Sequence, residues 1–142
     1  MIYTDTTKKA MKLCFRAHKE QTDKSGIPYV FHPIHLAEQR GDEDTTVVAL
    51  LHDVVEDTDY TLEDLRAMGF NQNVIEAIRL MTHAEGVPYL DYVAKIKENP
   101  IARAVKLADL AHNSDLTRLD TVDEKAMARV QKYTQAIRLL EE

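Results

Sequence analysis

From Val47 to Asp57 the chain reads VVALLHDVVED, an apolar helical stretch broken by four ionisable groups in six residues: His52, Asp53, Glu56 and Asp57. A stretch this apolar belongs in a protein interior. Burying an unpaired carboxylate costs several kcal/mol even after relaxation, so the fold must bring partners or a metal ion to these groups. The sequence offers His32, twenty residues before His52, and Asp109, fifty-six residues after Asp53. The order His…His-Asp…Asp reads as a divalent metal site.

The architecture around that site is expected to be all-α. Gly and Pro number four each in 142 residues, β-branched alternation is scarce, and apolar residues recur at helical spacing. A first helix is expected over about Tyr3 to Lys19, with Ala10, Cys14 and Ala17 on one face. After the turn Ser25-Gly26-Ile27-Pro28, Pro33 suits the first position of a short helix that starts just after His32 and ends by Gly41. Asp44 or Thr45 suits the cap of the helix carrying His52 and Asp53. Thr61 and Asp64 form a capping-box pattern, and Gly69 ends that helix. Further helices are expected at Asn71 to Thr82, at Tyr89 to Glu98, from Asn99-Pro100 onward, and from Thr121 to the end. The last has a stripe of Ala126, Val130, Tyr133, Ile137 and Leu140. The sum is a bundle of seven or eight helices forming one domain over residues 1–142, with no repeat or linker.

Charge and composition narrow the function. The net charge is −6 and the eighteen basic residues are scattered, whereas a nucleic-acid-binding face is basic. No apolar run reaches membrane-spanning length. The N-terminus lacks the apolar stretch of a secretory signal, and the single cysteine, Cys14, fits a reducing compartment. The expectation is a cytoplasmic protein without nucleic-acid or membrane partners. Cys14 reads as an inert core residue.

On a continuous helix, His52, Asp53, Glu56 and Asp57 span an arc of about 140°, with Val47, Leu50, Leu51, Val54 and Val55 on the rest. On the helix after Pro100, Lys106, Asp109 and Asn113 fall within about 60°. Two buried helices with narrow polar stripes set those stripes against each other. Two imidazoles and two carboxylates suit manganese, iron, cobalt or zinc better than calcium. A metal there acidifies a water and polarises a phosphoryl oxygen. Glu56 and Asp57 can take the water's proton, while Lys24, Lys106 and Asn113 balance phosphate charge. Glu56 and Asp57 also suit a solvated helix end, Lys106 an outward snorkel, and Asn113 a role orienting Asp109. His18, His35, His83 and His112 lack site geometry, His35 being the reserve ligand.

HP at 32–33, HD at 52–53 and KLADLAHN at 106–113 are similar to the HD superfamily of metal-dependent phosphohydrolases. More narrowly, AHKEQTDKSGIPYVFHP, LLHDVVEDT and VKLADLAHN resemble the hydrolase domain of RelA/SpoT-type proteins and the small alarmone hydrolases. The resemblance runs from about Ala17 to Asn113. It implies an HD-type helical bundle with a metal, commonly Mn²⁺, on His32, His52, Asp53 and Asp109. It implies catalytic roles for Glu56 and Asp57, substrate contacts from Lys24, Ser25, Lys106 and Asn113, and removal of pyrophosphate from the 3′ position of guanosine tetra- or pentaphosphate. A synthetase activity is not expected of 142 residues. The chain departs from the family at three places: Asp23, Leu110 and Asp115 stand where these hydrolases usually carry arginines. An acid there removes a stacking cation and repels phosphate. The alternatives are an HD-type phosphatase or pyrophosphohydrolase for another phosphorylated metabolite, and a non-catalytic nucleotide-binding module.

Overall fold

The computed structural model describes residues 1–142 and contains helices and loops, with a single isolated bridge between Thr22 and Pro28 in place of any strand. Eight helices exceed one turn, in line with the bundle expected: α1 (Asp5–His18), α2 (Phe31–Glu38), α3 (Glu43–Leu51), α5 (Leu62–Ala67), α6 (Gln72–Met81), α7 (Tyr89–Lys97), α8 (Pro100–Asn113) and α9 (Glu124–Glu141). A single turn, α4 (Val54–Asp57), follows α3, and a 3₁₀ turn at Leu116–Arg118 follows α8.

Helix α3 is the central rod. Thr46 through Leu51 are all buried, and α3 packs against α1, α2, α6 and α8. Truncating a side chain such as Leu50 or Leu51 there costs about 2–5 kcal/mol. Helix α8 shares that core through Ala102, Val105 and Leu110, and α9 lies across α7 and α8 with Ala126, Ala136 and Leu140 buried. The last helix therefore closes the core of its own chain. Val130, Tyr133 and Ile137 are only half-buried, so its seam is narrower than the expected stripe.

Caps explain most helix starts. Thr4 and Thr7 exchange side-chain bonds of 3.1 and 2.8 Å with each other's amides, so α1 begins at Asp5 rather than Tyr3. The Thr61–Asp64 capping box forms, and Gly69 ends α5 at φ +92°. Asn99 accepts from the Ala102 amide at 3.0 Å ahead of Pro100. Two starts differ from expectation. Asp42, not Asp44 or Thr45, caps α3 by accepting from the Thr45 amide. Asp123, not Thr121, caps α9 by accepting from the Ala126 amide. In both cases the better carboxylate acceptor stands three residues before a free amide.

Two local departures shape the site. His32 lies inside α2 rather than before it, because the turn that starts at Pro28 is already wound when it reaches Phe31, and Pro33 is tolerated in a first turn. The helix carrying His52 also fails to run on to Asp57. His52 donates through Nδ1 to the Ala49 carbonyl at 2.7 Å, taking the acceptor that the Asp53 amide needs to continue the helix. The helical ladder lapses at His52-Asp53, which keep right-handed helical backbone angles, and resumes as α4.

Candidate active site

Helix α2 supplies His32, the end of α3 and the turn after it supply His52 and Asp53, and α8 supplies Lys106, Asp109 and Asn113. His32, His52 and Asp109 converge in the interior, with ligand atoms within 4.8 Å of one another, and Asp53, Glu56 and Asp57 form an adjoining acidic group. His32 Nε2 lies 2.9 Å and His52 Nε2 3.5 Å from Asp109 Oδ1, and His52 Nε2 lies 3.1 Å from Asp53 Oδ2.

The ring nitrogens facing away from this centre have partners of their own. His52 Nδ1 is engaged by the Ala49 carbonyl, and His32 Nδ1 lies 2.7 Å from Nδ1 of His112. A proton on each Nδ1 leaves both Nε2 lone pairs aimed at the carboxylates, the tautomer a metal requires. His52 Nε2 is fully buried and makes no well-directed hydrogen bond to any protein atom. That orphaned nitrogen beside the buried Asp109 and the half-buried Asp53 carboxylates fits a divalent cation, which His32, His52, Asp53 and Asp109 would hold.

The electrostatics show a centre that attracts positive charge. Burial disfavours charge on His52, yet the Asp53 and Asp109 carboxylates hold its pKa well above the ordinary imidazole value. Burial also opposes ionisation of Asp109, but Lys106 and the two imidazoles drive its pKa well below the carboxylate range. Lys106 is buried and pairs with Asp109 Oδ2 at 3.0 Å, so it does not snorkel outward. Asn113 donates to Asp109 Oδ1 at 3.0 Å and thus orients that carboxylate. Asp57 differs: burial and its carboxylate neighbours Asp53 and Glu56 push it up to about 6. Glu56 accepts the main-chain N–H of His83 at 2.7 Å, which fixes its position beside Asp57.

Three adjoining cavities meet at Tyr29. One of about 250 Å³ is lined by Asp53, Glu56, Asp57, Lys106, Asp109 and Asn113. A second of about 300 Å³ shares Tyr29, Asn113 and Tyr133 with it and adds Lys24, Arg118 and Arg129. A third of about 350 Å³ lies toward Phe31, His35 and His112. Lys24 is exposed at the second cavity. Ser25 lines none of the three. Its hydroxyl donates to the Arg118 carbonyl at 2.8 Å and accepts from the Asp120 amide, fastening the turn.

Sequence reasoning missed several contributors. Tyr29 donates its hydroxyl to Asp53 Oδ2, and its only signal was its place one turn before His32. His112, for which the sequence offers no site geometry, backs His32 and stacks on His35 at 4.1 Å. Lys132 and Tyr133 reach the first cavity from α9, about twenty residues beyond the last of the sequence blocks, VKLADLAHN. Cys14 is fully buried, with its thiol pushed up to about 12 by burial and by Asp53, as an inert core residue should be.

The buried His-His-Asp centre and helical frame are those of an HD-type domain. The HD domain family matches residues 10–137, and the chain belongs to that family. It is 36% identical over 119 residues to the bifunctional (p)ppGpp synthase/hydrolase SpoT of Escherichia coli K12, covering 68% of this chain and 16% of the relative. It is 44% identical over 92 residues to the guanosine-3′,5′-bis(diphosphate) 3′-pyrophosphohydrolase of Vibrio cholerae, covering 62% of this chain and 12% of the relative. The chain thus spans less than a fifth of these relatives. A metazoan ortholog of SpoT that hydrolyses ppGpp has a similar structure, with a TM-score of 0.77 and 24% identity over 99% of this chain and 88% of that one. This likeness speaks to the fold.

Proposed function

We propose that the chain is a divalent-metal-dependent phosphohydrolase that removes pyrophosphate from the 3′ position of guanosine tetra- or pentaphosphate, acting in the cytoplasm as one domain over residues 1–142. The observation that carries this reading is the pair of imidazoles whose Nε2 atoms face Asp109 while their Nδ1 atoms are engaged elsewhere. The similarity to 3′-pyrophosphohydrolases supports the substrate class.

His32, His52, Asp53 and Asp109 would hold the ion, and Mn²⁺ suits their mixed nitrogen and oxygen donors. A bound cation acidifies water and offsets phosphoryl charge. Asp57, poised near pH 6, accepts a proton from the attacking water at neutral pH, and Glu56 positions that water. Lys106 is committed to Asp109, so Lys132 at the cavity rim and Lys24 at the neighbouring cavity supply the cations that meet phosphate.

The test is pyrophosphate release from guanosine tetraphosphate by metal-stripped protein, with and without added Mn²⁺. Release only with Mn²⁺ is expected. Bound Mn²⁺ without release would exclude this substrate and favour a second reading, hydrolysis of a different phosphorylated metabolite. That second reading rests on Asp23 and Asp115, which set two carboxylates in the wall of the cavity that holds Lys24.

A further inference from the structure

Arg118 lies in the 3₁₀ turn that follows α8, in neither the metal centre nor the acidic group, and lines the second and third cavities. Its guanidinium is held on three sides. One terminal nitrogen donates to the His112 carbonyl at 3.0 Å and to Asn113 Oδ1 at 3.2 Å, and the other lies 4.0 Å from Asp23 Oδ2. Asp23 is itself fixed, because its other oxygen accepts from the amides of Ser25 and Ile27 at 2.9 and 3.0 Å. Asn113 then donates through Nδ2 to Asp109 Oδ1. The contacts form an unbroken path: Asp23, Arg118, Asn113, Asp109.

Only one orientation of the Asn113 amide serves both ends. Flipping it would set Nδ2 against the guanidinium and Oδ1 against the carboxylate, two like-polarity contacts. Arg118 therefore does for Asn113 what Asn113 does for Asp109. We propose that Arg118 is a positioning residue, which locks the Asn113 amide so that Asp109 keeps its carboxylate aimed at the metal and ties that carboxylate to the wall of the Lys24 cavity. The proposal rests on the reading of His32, His52, Asp53 and Asp109 as metal ligands. It also gives Asp23 a role in place of the usual arginine at that position: it anchors the arginine at 118.

Charge and geometry predict opposite outcomes, which makes the proposal testable. As a mere cation, Arg118 repels a divalent ion, so its removal would tighten metal binding. As a positioning group, its removal loosens Asp109 and weakens binding. Lysine keeps the charge but loses the planar fork that bridges Asn113, the His112 carbonyl and Asp23. Mn²⁺ titration calorimetry on metal-stripped wild type, R118A, R118K, N113A and R118A/N113A is the experiment. Partners of metal ligands typically contribute roughly 10- to 100-fold in affinity. One step further out, R118A and R118K should each weaken Mn²⁺ binding by about threefold to tenfold. R118A should add nothing in the N113A background, because the path is already cut. Unchanged or tighter binding in R118A, or an R118A loss that persists in full beside N113A, overturns the proposal. Binding restored to wild type in R118K reduces the effect to charge and also overturns it. Wild type that takes up no Mn²⁺ removes the ligand reading beneath it, an outcome distinct from wild-type binding that Arg118 leaves unaffected.

Discussion

Asp57, the proposed proton acceptor, shows how placing a carboxyl for chemistry would come at the expense of stability. Its pKa is raised to about 6 by burial and by Asp53 and Glu56, whereas an unfolded aspartate titrates near pH 4. A carboxyl raised on folding favours the folded state when protonated. That stabilisation is complete below about pH 4 and is lost as pH rises through about 6. In metal-free protein at pH 8, D57N should therefore be more stable than wild type. Part of the Asp57 side chain still reaches solvent, so screening holds the gain to about 1 kcal/mol, and it should fall to about half of that at pH 5, midway between the two titrations. Thermal melts at the two pH values check this; a gain independent of pH would remove the titration argument. The same variant should lose Mn²⁺-dependent hydrolysis. Lys106 behaves in the opposite sense. Its removal leaves Asp109 buried without its cation, and K106M should cost about 3 kcal/mol in metal-free protein, read from urea unfolding. K106M/D109N should recover much of that loss, because no uncompensated charge remains.

At the scale of elements, the break between α3 and α4 matters most. It frees the His52-Asp53 turn to set an imidazole and a carboxylate toward α8 while the apolar residues of α3 stay in the core. The cost is a lost helical bond at Ala49, recovered as the bond that fixes the His52 tautomer. Caps elsewhere carry stability without chemistry. N99A removes the acceptor for the Ala102 amide at the far end of α8 from Asn113. It should cost about 1 kcal/mol in urea unfolding while leaving Mn²⁺ affinity unchanged. A loss of affinity in N99A would mean that α8 shifts as a rigid body when its start frays.

For the molecule as a whole, the site clamps α2, the α3–α4 turn and α8 together, so an ion there binds folded chain and not unfolded chain. Free Mn²⁺ at about a hundred times its dissociation constant should add about 2.7 kcal/mol. For a domain of this size that raises Tm by roughly 8–12 °C, and a chelator should reverse it. An unchanged Tm would argue that the four residues form a structural ion-pair cluster. No helix of the chain is long and apolar enough to cross a membrane.

Much of this was legible in the chain. Helical spacing, the Thr61–Asp64 box, Asn99-Pro100 and the scarcity of Gly and Pro are local signals, and local signals determine helices. The set His32, His52, Asp53 and Asp109 was legible for a different reason: buried ionisable groups among apolar residues need partners, and the chain offers few. What only the tertiary structure decided depends on side chains meeting across elements. The buried His52 ring bonds the Ala49 carbonyl just where the helical ladder lapses, a contact that its packing decides. Ser25 is spent on the 3₁₀ turn, and Arg118 reaches Asn113 and Asp23, because the end of α8 folds back over the Asp23–Gly26 turn ninety-odd residues earlier. Helical periodicity reports which face of an element is apolar. It carries no information about which distant polar group the packing will deliver to that face, and that delivery chose the partners of this site.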